Sequence, residues 1–324
     1  MIRLGLCCVF LEVPIRFRTT TAAACARLPK RRALEKLDGL CLENAHALEQ
    51  AIAYCAAHEI GAFRIGSGFF PLKTHPVFGY RLDDLPNVGE LAAACSRCRA
   101  LAGEQDVRLL FHPDQFVLLG SPRPEVTRAS LAEIEYQAEA AGLVGADVIN
   151  IHGGGGYGDK SAALDRVRRT LDRLSEAARS RLTLENDDRV FTPSDLLPLC
   201  RSAGVPLVYD VHHHRCHPDG RSVAETTTEA MATWTREPVF HLSSPRDGWR
   251  GTQPRRHADM IRMADFPREW EGLDVTIEVE AKAKEKAVAR LRRALQSRAK
   301  SAPKGNGSGI QESGVRIQNG EYCS

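Results

Sequence analysis

The feature that most constrains the fold of this chain is a repeated alternation of short apolar runs with longer helical patterns. Eight runs rich in Val, Ile, Leu or Phe have the length and composition of buried strands. Pro193 at a helix start, and Gly145 and Gly204 at helix ends, mark three boundaries. The predicted strands are Arg3–Phe10, Ala62–Ile65, Val107–Phe111, Asp147–Ile151, Arg181–Glu185, Leu207–Asp210, Val239–Leu242 and Val275–Glu280. The clearest predicted helices are Leu40–His58, Val88–Gly103, Ala129–Gly145, Lys160–Arg179, Pro193–Ala203 and Ser222–Trp234.

Eight strands that alternate with helices over about 280 residues predict an α/β fold, a (β/α)₈ TIM barrel. A doubly wound open sheet is the alternative, but it usually carries a glycine-rich fingerprint after its first strand. Cys8-Val9-Phe10-Leu11 follows the first strand here. We therefore predict one barrel domain over residues 1–298. Ser, Gly, Lys and Asn dominate from Ala299 onward, which predicts a disordered tail over residues 299–324.

Composition places the chain among soluble globular proteins, with 43% hydrophobic and 26% charged residues. The apolar run Ile2–Phe10 is too short to span a bilayer and lacks the features of a signal peptide. We therefore expect a cytoplasmic protein that associates with the nucleoid when it acts and has no membrane partner. We also expect a monomer. A net charge of +3 does not by itself identify a nucleic-acid partner. The basic segment Lys282–Arg298 is interpreted as a solvated helix face, and Cys95-x-x-Cys98 lacks a second pair for a zinc site.

The functional signal is the position of histidines and carboxylates at the strand ends. They occur on strands three to eight as His112, His152, Glu185, Asp210, His241 and Glu280. The carboxyl ends of barrel strands meet at one mouth, so these side chains should converge there. Three carboxylates in such a place would repel one another and lose hydration, and divalent cations remove both costs. Mixed imidazole and carboxylate ligands suit Mn²⁺, Zn²⁺, Co²⁺ or Fe²⁺, so the sequence predicts a polynuclear metal site.

Three further histidines follow strands six, seven and two: His213, His257 and His75. Each lies in a loop that could reach the same mouth, although a single histidine after a strand is more often structural. The glycine-rich loop Gly153–Gly156 lacks the Lys-Ser/Thr pattern of a phosphate-binding P-loop. No nucleotide cofactor is therefore expected.

The order of these residues resembles that of the ultraviolet damage endonucleases, from Arg3-Leu4-Gly5 to about Lys286. The motifs that carry the resemblance are Phe63-Arg64-Ile65-Gly66, His112-Pro113-x-Gln115, Leu184-Glu185-Asn186-Asp187, Asp210-x-x-His213, His241-Leu242-x-Ser244 and Val279-Glu280-Ala281-Lys282. The resemblance implies a barrel similar to that of endonuclease IV-type nucleases. It also implies a cluster of two to three divalent ions, with Mn²⁺ favoured and Mg²⁺, Co²⁺ or Zn²⁺ as alternatives.

The resemblance also implies roles for individual residues. Glu185 would bridge ions, and His213 and His257 would hold a third ion. The remaining implied ligands are Asp210, His241, Glu280, His112 and His152. His75 would line the site, and His75 and Lys282 join Glu185 as the residues assigned to catalysis.

Gln115 and Phe116 match a Gln-Tyr pair that members of this family are thought to push into the duplex at the lesion. Arg255 and Arg256, with Arg246 and Arg250, follow strand seven and would form a basic rim for DNA. Two positions depart from the family pattern. Phe10 stands where an Asn is frequent, and Val239 stands where many members carry a Lys, so what those residues do elsewhere is in doubt here.

The implied activity is incision of damaged double-stranded DNA immediately 5′ of ultraviolet photoproducts and other helix-distorting lesions, which leaves 3′-hydroxyl and 5′-phosphate ends. Clustered divalent ions can activate water and stabilise the charge that develops in phosphodiester hydrolysis. The alternatives are a sugar isomerase-like or apurinic-site endonuclease barrel and a non-catalytic DNA-binding module. The pair Gln115-Phe116 and the loop arginines favour DNA over a small polyol.

Overall fold

The computed structural model describes residues 1–301, and its central element is a closed barrel of eight parallel strands. Each strand is hydrogen-bonded to the next along the chain, and β8 pairs with β1 to close the ring. The predicted (β/α)₈ barrel is therefore confirmed. The strands are β1 Ile2–Cys7, β2 Ala62–Gly66, β3 Arg108–His112, β4 Val148–His152, β5 Leu182–Glu185, β6 Leu207–Asp210, β7 Val239–Leu242 and β8 Val275–Val279.

Helices surround this barrel and connect its strands. They are α1 Ala22–Ala26, α2 Lys30–Ala57, α3 Val88–Glu104, α4 Pro124–Val144, α5 Lys160–Leu171, α6 Glu176–Arg179, α7 Pro193–Ala203, α8 Val211–Cys216, α9 Val223–Met231 and α10 Lys284–Ser301. Short 3₁₀ turns occupy Leu82–Asp84, Met263–Asp265 and Arg268–Trp270. The sequence signals for α7 are borne out: Thr192 caps its first turn and Gly204 ends it with a left-handed φ of 64°.

Several predicted elements are wrong in detail: α2 begins at Lys30 rather than Leu40, and α4 begins at Pro124 rather than Ala129. The first strand ends at Cys7 rather than Phe10, because Cys8 adopts a left-handed backbone with φ of 64° that ends the ladder. Phe10 instead packs against the rings of Phe63 and Tyr54. The helix predicted over Lys160–Arg179 is divided into α5 and α6, because Ser175 starts a new helix by accepting a hydrogen bond from the Ala178 amide.

The barrel interior explains why the strands deliver polar groups to one end. Its apolar layer is formed by Ala62, Leu110, Val148, Val208 and Val239, one residue from each of five strands. Side chains two positions apart lie on the same face of a strand. The residues two positions further along these strands are Arg64, His112, Asn150, Asp210 and His241. A polar layer therefore lies directly above the apolar one, on the mouth side.

The C-terminal segment departs from the predicted domain boundary. Helix α10 continues through Ser301, so residues 299–301 extend the basic helix rather than starting the tail. The rest of the predicted tail, residues 302–324, lies outside the described residues. Within residues 1–301, no helix is both long enough and apolar enough to cross a membrane.

Candidate metal centre

Glu185 is the centre of the polar layer at the barrel mouth. Its side chain is fully buried at the end of β5. The Oε1 atom lies 3.1 Å from His213 Nδ1 and 3.2 Å from His241 Nδ1. The Oε2 atom lies 3.0 Å from His112 Nε2 and accepts a 2.6 Å hydrogen bond from Asn150. One carboxylate thus touches groups from four other elements of the barrel.

The predicted ligands form three overlapping groups whose donor atoms lie within 4.8 Å of one another. Glu185 belongs to two groups and His112 to two, so the groups share members as a polynuclear centre would require. The groups are His112–His152–Glu185, His112–His241–Glu280 and Glu185–Asp210–His213. The structure therefore brings together seven of the eight sequence-predicted ligands in these groups.

Several donor atoms of this cluster converge without bonding one another. Glu185 Oε1, Asp210 Oδ2 and His241 Nδ1 are buried and have no hydrogen-bond partner within residues 1–301. Leaving such groups unpaired costs about 1–3 kcal/mol each, and more for charged groups. Divalent cations would satisfy all three atoms at once, and nitrogen and carboxylate oxygen are suitable ligands for Mn²⁺ or Zn²⁺. The residues present therefore fit a cluster of cations.

The electrostatics of the cluster are those of strongly interacting charges. Burial lowers the pKa of His213, but Asp210 and Glu185 outweigh this effect and raise it to about 10. Burial raises the pKa of Glu185, yet His152 and His241 hold it well below its usual range. The pKa of Asp210 is raised, mainly by burial. Without cations, protons on imidazoles balance the carboxylates, so metal binding must displace protons.

Glu278 and Arg64, to which the sequence assigned no role, hold the candidate ligands in place. Glu278 Oε2 lies 2.7 Å from His241 Nε2, which leaves His241 Nδ1 facing the cluster. Arg64 donates a 2.6 Å hydrogen bond to Glu280 and lies 3.4 Å from Glu278. A carboxylate behind a metal-binding histidine orients its ring and raises its basicity. The strand alternation contains this signal, because Glu278 precedes Glu280 by two residues and faces the same side.

The weaker candidates differ in how close they come to the cluster. His257 Nδ1 lies 3.7 Å from Glu280 Oε2, beside the three groups rather than in one of them. His75 contacts its own loop, where its Nδ1 accepts hydrogen bonds from the amides of Val77 and Phe78. Lys282 is exposed and lies just beyond Glu280.

A basic cavity of about 670 Å³ adjoins the cluster at Glu280. Its charged lining consists of Arg64, Arg246, Arg255, Arg256, His257, Glu280, Lys282 and Lys284. Arg255 also pairs with Asp188 of the β5–α7 loop at 3.1 Å, and Arg246 pairs with its neighbour Asp247. Arg256 forms no ion pair within residues 1–301, so its charge is less neutralised than that of Arg255.

The predicted probe residues lie on the loop after β3. Gln115 and Phe116 are exposed, and the Phe116 ring has 72% of its surface accessible. Both side chains are therefore accessible to a partner that approaches this loop. The two positions at which the resemblance implies a departure, Phe10 and Val239, are both buried. Phe10 packs in the outer core, and Val239 belongs to the apolar layer below His241.

Fold and cluster together define a (β/α)₈ barrel with a candidate metal centre at its mouth. The family model for UV-endonuclease UvdE matches residues 2–308. A UV DNA damage endonuclease of Deinococcus radiodurans is 37% identical over 302 residues, which cover 90% of this chain and 94% of that protein. A UV DNA damage endonuclease of Bacillus velezensis is 32% identical, with 85% and 87% covered.

Solved structures agree. The crystal structure of SacUVDE superposes with a TM-score of 0.81 at 27% identity and covers 93% of this chain and all of that one. Endonuclease IV of Thermus thermophilus has a TM-score of 0.59 at 17% identity over 93% of this chain and 100% of that chain, which shows the barrel fold alone. The chain belongs to the UV-endonuclease UvdE family, and it is a DNA repair endonuclease that acts on ultraviolet damage.

The position of Glu185 predicts the effect of removing its charge. Glu185→Gln keeps the size of the side chain but leaves the shared donor atoms without their central anion. We expect loss of bound divalent ions and a fall in nicking activity by several orders of magnitude, with the fold retained. Metal content after dialysis, circular dichroism and nicking rates measure these effects. Near-normal metal content together with normal nicking would show that Glu185 is not a ligand.

The contact between Glu278 and His241 gives a second prediction. Burial raises the pKa of Glu278, but Arg64 and His241 outweigh this effect. The pKa of Glu278 is therefore lowered, and its side chain is an anion. Glu278→Gln should weaken metal affinity by about 10–100-fold, because the His241 ring loses its charged partner. Calorimetric titration with Mn²⁺ measures the change. Glu269, on a 3₁₀ turn outside the barrel mouth, provides a control as Glu269→Gln, and an equal effect in both variants would contradict the prediction.

Proposed function

We propose that this endonuclease is metal-dependent and cuts damaged duplex DNA immediately 5′ of the lesion, leaving 3′-hydroxyl and 5′-phosphate ends. The observation that carries the metal dependence is the convergence of unpaired donor atoms of Glu185, Asp210 and His241. The ligands would be the seven residues of the three groups, with His257 beside them. Bound divalent ions, with Mn²⁺ favoured, would activate water and neutralise the phosphate charge.

The protein's own residues would position the substrate. The basic cavity beside Glu280 offers the guanidinium groups of Arg255 and Arg256 and the ammonium group of Lys282 to a phosphodiester. Cationic donors bind phosphate through charge-assisted hydrogen bonds. Arg64 lies deeper in the cavity and donates a hydrogen bond to Glu280. It would therefore orient this candidate metal ligand rather than bind the phosphodiester. Lys282 is the proposed catalytic lysine, because it is both exposed and next to the cluster.

His75 is proposed as a residue that lines the substrate path. Its Nδ1 is occupied by two backbone amides, so the ring is held in one orientation and its Nε2 is the atom left to meet a substrate. A ring fixed in this way would help to position the substrate. This role would make His75 a partner of the phosphate backbone and not of the metal ions.

Lesion selection is proposed to use Gln115 and Phe116 as a probe. Damaged base pairs unstack at a lower cost than intact ones, so an exposed ring that enters the stack selects deformable DNA without reading base edges. Phe116 offers a ring for stacking and has no hydroxyl group. Any selectivity would therefore come from stacking and from the amide of Gln115.

The test of the cleavage reaction uses irradiated supercoiled plasmid. Nicking should rise with ultraviolet dose, vanish with a chelator and return with Mn²⁺. End-labelled duplexes with one photoproduct should show a cut at the phosphodiester directly 5′ of the lesion. The new 3′-hydroxyl end should support repair synthesis, after which ligase should seal the strand. Equal nicking of unirradiated plasmid would contradict damage specificity, and activity in excess chelator would contradict metal dependence.

The exposed ring of Phe116 predicts a change in discrimination. Phe116→Ala removes stacking that is worth about 1–3 kcal/mol per base. The ratio of kcat/KM on damaged and intact duplex should therefore fall by about five- to 150-fold, while metal content stays the same. Phe116→Tyr is the matched control, since it keeps the ring. Unchanged discrimination in Phe116→Ala would exclude the probe role.

A further inference from the structure

A second basic surface lies away from the metal centre, between α4 and α5. Four guanidinium groups line a cleft of about 310 Å³, together with Ser121, Pro124, Thr127 and Thr170. We call it the arginine cleft, and its basic residues are Arg128, Arg166, Arg169 and Arg173. Its lining contains no Asp or Glu.

The charge of the arginine cleft is not balanced within the protein. Among residues 1–301, no carboxylate forms an ion pair with any of its four arginines, whereas arginines elsewhere on the surface do form such pairs. Arg128, Arg169 and Arg173 are exposed, and Arg166 is half-buried. Four like charges around one concavity repel one another, so packing does not explain why they share a site.

The arginine cleft is joined to the loop that carries Phe116. Arg166 Nε donates to the Gly120 carbonyl at 2.7 Å, and Thr170 Oγ1 donates to the Leu119 carbonyl at 3.1 Å. The Phe116 and Ser121 Cα atoms are five residues apart, so they lie at most about 18 Å from each other. That distance corresponds to about five base-pair steps of B-DNA.

The loop after β4, which follows the candidate ligand His152, also contacts the cleft. Tyr157, in the loop after β4, is 43% exposed, and Arg166 lies over its ring at 5.8 Å. The ring contacts the guanidinium group by a cation–π interaction. Arg166 and Arg169 are three residues apart on one face of α5, and Arg173 follows in the turn after the helix and lines the same cleft.

From these contacts we infer that the arginine cleft binds backbone phosphates of the duplex on one side of the lesion. The inference rests on the proposed function, because it takes Phe116 as the point of contact with the lesion. Planar guanidinium groups bind phosphate oxygens in a bidentate manner. The cleft would hold the flank within about half a turn of the lesion and so set which way the damaged strand runs across the barrel mouth.

The test measures duplex binding at several salt concentrations, with Glu185→Gln as a cleavage-deficient background. Each phosphate contact adds about 0.9 to the slope of log affinity against log salt. Arg169→Ala with Arg173→Ala should lower that slope by up to about 1.8. Between 50 and 200 mM salt, the parent should then lose about tenfold more affinity than the variant.

A matched control removes the same charge elsewhere. Arg31 and Arg32 are exposed at the start of α2 and both pair with Glu35. Arg31→Ala with Arg32→Ala should leave the slope unchanged. Arg169→Lys with Arg173→Lys should restore most of it, because counterion release depends on charge. Equal slopes in the alanine variant and this control, or a lysine variant that fails to restore the slope, would overturn the inference.

Duplexes trimmed close to the lesion locate the contact. Trimming one flank should abolish the difference between parent and alanine variant, and trimming the other flank should preserve it. A difference that survives both truncations would overturn the assignment to a flank. The outcomes are separable from those of the proposed function: normal nicking with an unchanged slope rejects the cleft alone. An absence of damage-dependent nicking rejects the proposed reaction, while the salt slope on intact duplex still tests the cleft.

Discussion

The burial of negative charge at the barrel mouth is the constraint on which the rest of the structure depends. Glu185, Asp210 and Glu278 are almost completely inaccessible, and Glu280 lies beside them. Arg64 is the permanently charged cation that contacts this group within residues 1–301. Isolated buried carboxylates are unstable unless they are paired or bind metal ions. The histidines and the candidate cations therefore belong to the folding of the mouth as much as to its chemistry.

The apolar layer beneath the mouth makes this arrangement workable. Val208 and Val239 lie two residues before Asp210 and His241 and close the barrel below the charged layer. With water excluded from below, the cluster is reached from the mouth side, and its electrostatic interactions are stronger than they would be in bulk solvent. Val239 contributes two packed methyl groups to this layer, directly below His241.

The features that could be predicted from the sequence are those that leave a pattern in neighbouring residues. Strand composition and spacing predicted the barrel, and strand-end residues such as His112 and Glu185 predicted the cluster, because parallel strands deliver their ends to one place. The contact of Arg64 with Glu280 joins residues 216 positions apart, and sequence spacing alone contains no record of it. The end of β1 was mispredicted because Val9 and Phe10 have strand-like composition, whereas the backbone of Cys8 ends the ladder. The break between α5 and α6 was missed because a single Ser175 cap interrupts an otherwise helical pattern.

The anchoring of the loop after β3 has a consequence for how DNA would be searched. Its second half is tied to its surroundings by the bonds from Thr170 and Arg166 and by a 2.8 Å bond from the Leu118 amide to Ser130. Under the proposed role of Phe116, the segment that follows the probe is held in place before the protein meets DNA, so most of the deformation falls on the duplex. Warming loosens the stacking of intact DNA while the anchored loop stays the same. Selectivity for damaged over intact duplex would then depend on the stiffness of the DNA. It would decrease as the temperature rises.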